Sequence, residues 1–157
     1  MMSPFDVLTP ELVVPALAAS DKDGVLLTLA ARVAHSHPID ECGLVEALRF
    51  RERQMTTALV NGVAIPHAKL PGLPRLVGAL GRSAAGVDCE AHDGAPTRLF
   101  FLLVGPAERP GDHLKALAAV SRVLHEERCR TALLAAEDAA SMLDVLRRYA
   151  ERVRPAA

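Results

Sequence analysis

The chain has 157 residues, half of them hydrophobic but only 3% aromatic, enough for one core built from Leu, Val and Ala and too apolar for wholesale disorder. Eighteen Lys and Arg stand against 19 Asp and Glu, a formal charge of −1, so no net positive field exists to collect nucleic acid. No apolar run approaches the roughly 20 residues of a membrane helix, and the opening Met1-Met-Ser-Pro-Phe-Asp6 lacks the basic and then apolar regions of a secretory leader.

The cysteines Cys42, Cys89 and Cys129 are scattered and odd in number, without a CxxC pair. They argue against a disulfide framework or a cysteine-rich zinc site, and for three buried thiols in a reducing cytoplasm.

In chain order, Pro10 and Pro15 bracket a Leu-Val-Val strand candidate that belongs at a sheet edge. Ser20 followed by Asp23 resembles a capping box with the shorter acid, and Leu26, Leu29, Ala30 and Val33 then keep helical spacing up to His37-Pro38. Asp40 caps a second helix with Leu44, Val45 and Leu48 inside, running to about Arg51. Helical spacing is lost over residues 56–66. Asn61-Gly62 predicts a turn, and Val63-Ala-Ile65 a short strand that ends at Pro66. Residues 76–82 read as a strand, Asp93-Gly94 as a tight turn, and Arg98–Val104 as the most apolar, central strand, stopped by Gly105-Pro106. Three helices follow, at about 111–125, 127–135 and 138–153. Leu114, Leu117, Val120, Ser121 and Leu124 mark the inner face of the first, and Met142, Leu143, Val145, Leu146 and Tyr149 that of the last. With no linker or repeat, the expectation is a single α/β domain over residues 1–157, core about 5–152, with a mixed β-sheet flanked by helices.

Six histidines are candidates for chemistry. His35, His37 and His125 fall at predicted helix ends, where a cationic ring suits the negative pole. His92 falls in a turn. His67 is different: it follows a proline-stiffened extended segment, which holds a side chain in place yet accessible, as a nucleophile needs. No GxSxG, GxxxxGK[ST] or HExxH occurs, and Glu41, Asp88, Glu90 and Asp93 show no paired spacing.

The segment Asn61-Gly-Val-Ala-Ile-Pro-His-Ala-Lys69 resembles the active-site segment of the enzyme IIA proteins of the bacterial phosphoenolpyruvate:sugar phosphotransferase system, in the fructose/mannitol branch that includes the nitrogen-regulatory IIA proteins. Arg51-Glu-Arg-Gln, Val87–Pro96, Phe100–Pro106 and Asp112–Leu117 extend the resemblance over roughly residues 5–152. Where the family usually shows Ser-Thr-Gly-Ile-Gly, this chain has Thr56-Thr57-Ala58-Leu59-Val60. The resemblance implies the family's mixed-sheet α/β fold and no cofactor or metal. It implies that His67 accepts a phosphoryl group from an HPr-like phosphocarrier protein and passes it to a IIB domain, or uses it to regulate protein partners. His113 then matches the family's second active-site histidine, and Arg51 the arginine near the site, both stabilising phosphate. Lys69 is a rim charge for docking.

A neutral imidazole has one nitrogen with a free lone pair; the other carries the proton and needs an acceptor such as a backbone carbonyl. Phosphoryl transfer needs in-line placement and charge stabilisation, which Arg51, His113 and a helix N-terminus can supply. Three readings compete: a phosphohistidine-carrying transferase, a regulatory binding module switched by phosphate on His67, and a metal-dependent hydrolase using His67, His113 and Asp93. The first two are compatible and preferred. A nitrogen-regulatory role stands somewhat ahead of sugar uptake because nothing in the chain resembles an attached IIB, IIC or HPr domain.

Overall fold

The structure is a computed structural model that describes residues 3–153; Met1 and Met2 of the segment read for a leader, and residues 154–157, lie outside it. A 3-10 turn over Pro10–Leu12 leads into the short edge strand β1 (Val13–Val14). Helix α1 (Lys22–Ser36) is capped by Asp21, whose carboxylate accepts from Gly24 N at 2.7 Å. The expected box of Ser20 and Asp23 does not form. The backbone turns extended at Asp21, one residue later, and the Asp23 carboxylate instead takes two hydrogen bonds from Arg49, each 2.7 Å, on the next helix. That helix, α2 (Glu41–Gln54), is capped by Asp40 as its sequence suggests.

The sheet is mixed. Strands β2 (Val63–Ala64) and β3 (His67–Leu70) both run parallel to β5 (Thr97–Pro106), which is antiparallel to β4 (Val77–Val87); β1 lies parallel to β4 at the edge. From Leu99 to Val104, β5 is at most 1% exposed, which makes it the core strand, and it continues through Gly105-Pro106 rather than stopping before them. Helices α3 (Pro110–His125), α4 (Glu127–Ala135) and α5 (Ala139–Arg152) complete the chain. Helix α2 packs on β3, and α3 on β5.

Four further expectations are corrected. Pro66 does not end the extended run. It lacks an N–H, but its carbonyl still accepts from Leu103 N at 3.0 Å, and the ladder resumes in register at His67. His67 therefore opens β3 instead of trailing β2. In α3 the inner face is His113, Ala116, Val120, Val123 and Leu124, while Leu114 is 68% exposed. The strand read as 76–82 runs to Val87, across an irregularity in pairing between Arg82 and Val87. Cys42 is exposed; Cys89 and Cys129 are buried, and burial pushes the Cys129 thiol up to about 12.

Among the described residues no helix is long and apolar enough to cross a membrane.

Candidate functional site

A cleft of about 650 Å³ lies between the last turn of α2, the start of β3 and the first turn of α3. Arg51, His67, Lys69 and His113 all line it, so residues far apart in sequence meet at one surface. The half-buried His67 ring is held from both sides. Nδ1 lies 2.8 Å from the Ile65 carbonyl oxygen, and Arg51 Nε donates to Nε2 at 3.2 Å. A carbonyl can only accept and a guanidinium can only donate, so the proton sits on Nδ1 and the lone pair on Nε2. Arg51 also donates to the Met55 carbonyl at 2.9 Å, which stiffens its side chain at the C-terminal end of α2, where a cation is favoured.

His113 is 5% exposed, with its ring centroid 5.6 Å from that of His67. Neither of its ring nitrogens has a hydrogen-bond partner among the described residues. The ring rests on the backbone of β5 at Gly105: a Cβ there would come within 2.6 Å of His113 Nδ1. A glycine at this point of β5 is what lets His113 reach the cleft.

Both imidazoles are kept neutral. Burial lowers the conjugate-acid pKa of His67, Arg51 and Lys69 lower it further, and the Ile65 carbonyl and Glu52 oppose them. Burial, then His67 and Lys69, brings that of His113 down to about 4. The linkage sign follows. A group whose folded pKa is depressed below its ordinary 6.5 binds its proton more readily in the unfolded chain, so the stability held by neutral His113 is complete above pH 6.5 and drains away as pH falls toward 4. Urea unfolding of the wild type at pH 7 and pH 4.5, compared with His113→Gln, is expected to show the variant losing less stability on acidification, by on the order of 2 kcal/mol. Equal losses would mean that His113 is not held neutral by the fold.

The segment Thr56–Val60 contains no glycine and adopts no left-handed conformation. Ala58 bridges to Ala64 beside β2, and the left-handed conformations fall on Asn61 (φ 66°) and Gly62 (φ 77°), as the Asn-Gly turn requires. The amides nearby are occupied: Thr57 N donates to Glu52 at 2.9 Å and Ala58 N to Thr56 Oγ1 at 3.1 Å. Asp93 accepts from Asn61 N and Ala95 N and so secures that turn. It does not join His67 and His113, and among the described residues no group of three His, Cys, Asp or Glu is arranged to hold a metal.

Sequence comparison supplies the class. Residues 6–149 match the family model described as "Phosphoenolpyruvate-dependent sugar phosphotransferase system, EIIA 2", and the chain belongs to this family of phosphotransfer components. Among its relatives is a nitrogen regulatory protein of Bradyrhizobium diazoefficiens, 40% identical over 141 residues that cover 90% of this chain and 92% of that protein. A fructose-specific EIIA component of Haloferax volcanii is 34% identical over 149 residues, covering 94% and 97%. The crystal structure of nitrogen regulatory protein IIA-Ntr from Neisseria meningitidis superposes with a TM-score of 0.85 at 25% identity, covering 90% of this chain and 97% of that one.

Proposed function

We propose that this protein is a phosphohistidine carrier, with His67 Nε2 as the acceptor and donor atom, and that its role is of the nitrogen-regulatory type. The single observation that carries this is the His67 ring itself: Nδ1 tied to a backbone carbonyl and Nε2 facing an arginine inside a cleft. In the transfer, the phosphorus–nitrogen bond of a phosphorylated HPr-like protein breaks as the His67 Nε2–phosphorus bond forms. Nδ1 keeps its proton, and the Ile65 carbonyl stabilises the positive charge that grows on the ring. Arg51, displaced from the lone pair, turns its planar donors to the phosphoryl oxygens. His113 offers an N–H to the same oxygens, and the first turn of α3 presents its positive pole to the cleft. The lowered pKa of His67 supports its role, since an imidazolium has no lone pair with which to attack, and the neutral His113 ring keeps one N–H to donate.

Phe50, Met55 and Leu114, between 60% and 68% exposed, provide apolar surface on the elements that form the cleft and suit docking of a protein partner. Nitrogen regulation is favoured by the greater identity to a nitrogen regulatory protein; the likeness to a fructose-specific component favours relay to a separate IIB domain as the second reading.

The reading is tested by incubation with a phosphorylated HPr-like protein, followed by mapping of acid-labile phosphate. Label on the peptide that carries His67 is expected; no label, or label elsewhere, overturns it. Gly105 gives a further check on His113. Gly105→Ala drives a methyl group into the space of the His113 ring and is expected to slow phosphoryl acceptance by about tenfold to a hundredfold, with little added loss when combined with His113→Gln. Fully additive losses would place the effect of Gly105 somewhere other than His113.

A further inference from the structure

Glu52 is a charged residue that the transfer chemistry leaves without a task. It follows Arg51 on α2, yet it is 8% exposed, and its carboxylate turns away from the cleft toward Thr57. Oε2 accepts from Thr57 N at 2.9 Å and Oε1 from Thr57 Oγ1 at 2.5 Å, while Lys22 Nζ lies 3.4 Å from Oε2. Burying a carboxylate is costly unless its oxygens are met, and here they are met chiefly by one residue.

The consequence lies in the pairing beside β2. The Ala58–Ala64 bridge sets Thr57 opposite Ile65 in an antiparallel register. A hydrogen-bonded antiparallel couple exchanges two N–H···O bonds. This couple makes one: Ile65 N donates to the Thr57 carbonyl at 3.1 Å. The return bond is absent: Thr57 N donates to Glu52 instead, and the Ile65 carbonyl lies 2.8 Å from His67 Nδ1 and accepts from it. Resting on the reading of His67 as the phosphoryl acceptor, we propose that Glu52 is a positioning residue: by taking the Thr57 N–H, its carboxylate reserves the Ile65 carbonyl for His67 Nδ1 and so presents Nε2 as the nucleophile.

Without the carboxylate, the buried Thr57 N–H turns to the Ile65 carbonyl, the acceptor its register supplies. A carbonyl can take two donors, so the Nδ1 bond is weakened rather than lost. The ring then spends more time with its proton on Nε2, where it cannot attack. For metal-ligating histidines, loss of the partner on the far nitrogen commonly costs about 10- to 100-fold in function, and for an indirect partner of a nucleophilic ring we expect the lower end of that range.

The test combines nitrogen-15 NMR of the histidine rings at neutral pH with the kinetics of phosphoryl acceptance from a phosphorylated HPr-like protein. Glu52→Ala is expected to raise the share of the Nε2–H form of His67 and to lower kcat by about tenfold while KM for the donor stays unchanged. Glu52→Gln, whose amide oxygen still accepts from Thr57 N, is expected to restore most of both. Thr57→Val, which removes the hydroxyl but keeps the N–H, is expected to leave the tautomer as in wild type. An unchanged tautomer in folded Glu52→Ala overturns the proposal, whatever the rate does. If that variant does not fold, the wild type decides: a scalar coupling across the hydrogen bond from the Thr57 amide to the Glu52 carboxyl carbon supports the proposal, and one to the Ile65 carbonyl carbon overturns it. Phosphate retained by His67→Ala would sink the underlying reading; label on His67 with an unmoved tautomer sinks only the part assigned to Glu52.

Discussion

Alanine at position 67 is expected to abolish phosphoryl acceptance while leaving the chain folded. His67 is half-buried and makes two hydrogen bonds, one to the Ile65 carbonyl and one from Arg51. Such bonds contribute about 1 kcal/mol each, so the variant should unfold only a few degrees below the wild type. The functional loss should nevertheless be total, because no neighbour can replace the ring. His113 is the other imidazole of the cleft, but it is 5% exposed and its conjugate-acid pKa near 4 makes it a weakly basic nucleophile. The measurement is transfer of labelled phosphate from a phosphorylated HPr-like protein, with thermal unfolding as the check on folding. Residual label on a folded His67→Ala chain would move the acceptor elsewhere.

The second large effect is expected at Arg51. In the resting site its Nε–H occupies the lone pair that must attack, so the guanidinium both masks the nucleophile and stands ready for the phosphoryl oxygens. Removing one preorganised donor of this kind commonly costs about 10²- to 10³-fold in rate, and Arg51→Met is expected to fall in that range despite the exposed lone pair. The pH profile carries a second signature. The fold lowers the His67 pKa below the ordinary 6.5, so the acid limb of its acceptance rate should lie at a lower pH than that of a free imidazole. Arg51 is one of the cations that lower the His67 pKa, so its loss should shift the acid limb upward. The shift should be partial, because burial, the larger cause, remains. A rate within a few fold of wild type would show that Arg51 does not meet the phosphoryl group.

Much of this arrangement is legible in the chain, and the gaps have physical reasons. The Asn61-Gly62 turn, the Asp40 cap and the apolar run of β5 depend on local rules that tertiary contacts leave intact. The continuation of the sheet past Pro66 is hidden because proline removes a donor but keeps its carbonyl, and only the partner strand shows that the carbonyl is used. The phase of α3 is misread because hydrophobic spacing favours Leu114 for the core, whereas the structure buries a polar ring, His113, in a hollow that Gly105 leaves open. Glu52 is the deepest omission. Within Arg51-Glu-Arg-Gln it looks like part of a solvated charged turn, and only the bend that brings Thr57 back to the end of α2 reveals a buried carboxylate.

The most direct measurement is the chemical position of the phosphate. Phosphorus-31 and nitrogen-15 NMR of the chain phosphorylated by an HPr-like donor should show phosphorus bonded to Nε2 of His67, with the Nδ1 proton still present. Phosphate on Nδ1, on another residue, or absent altogether would contradict the account.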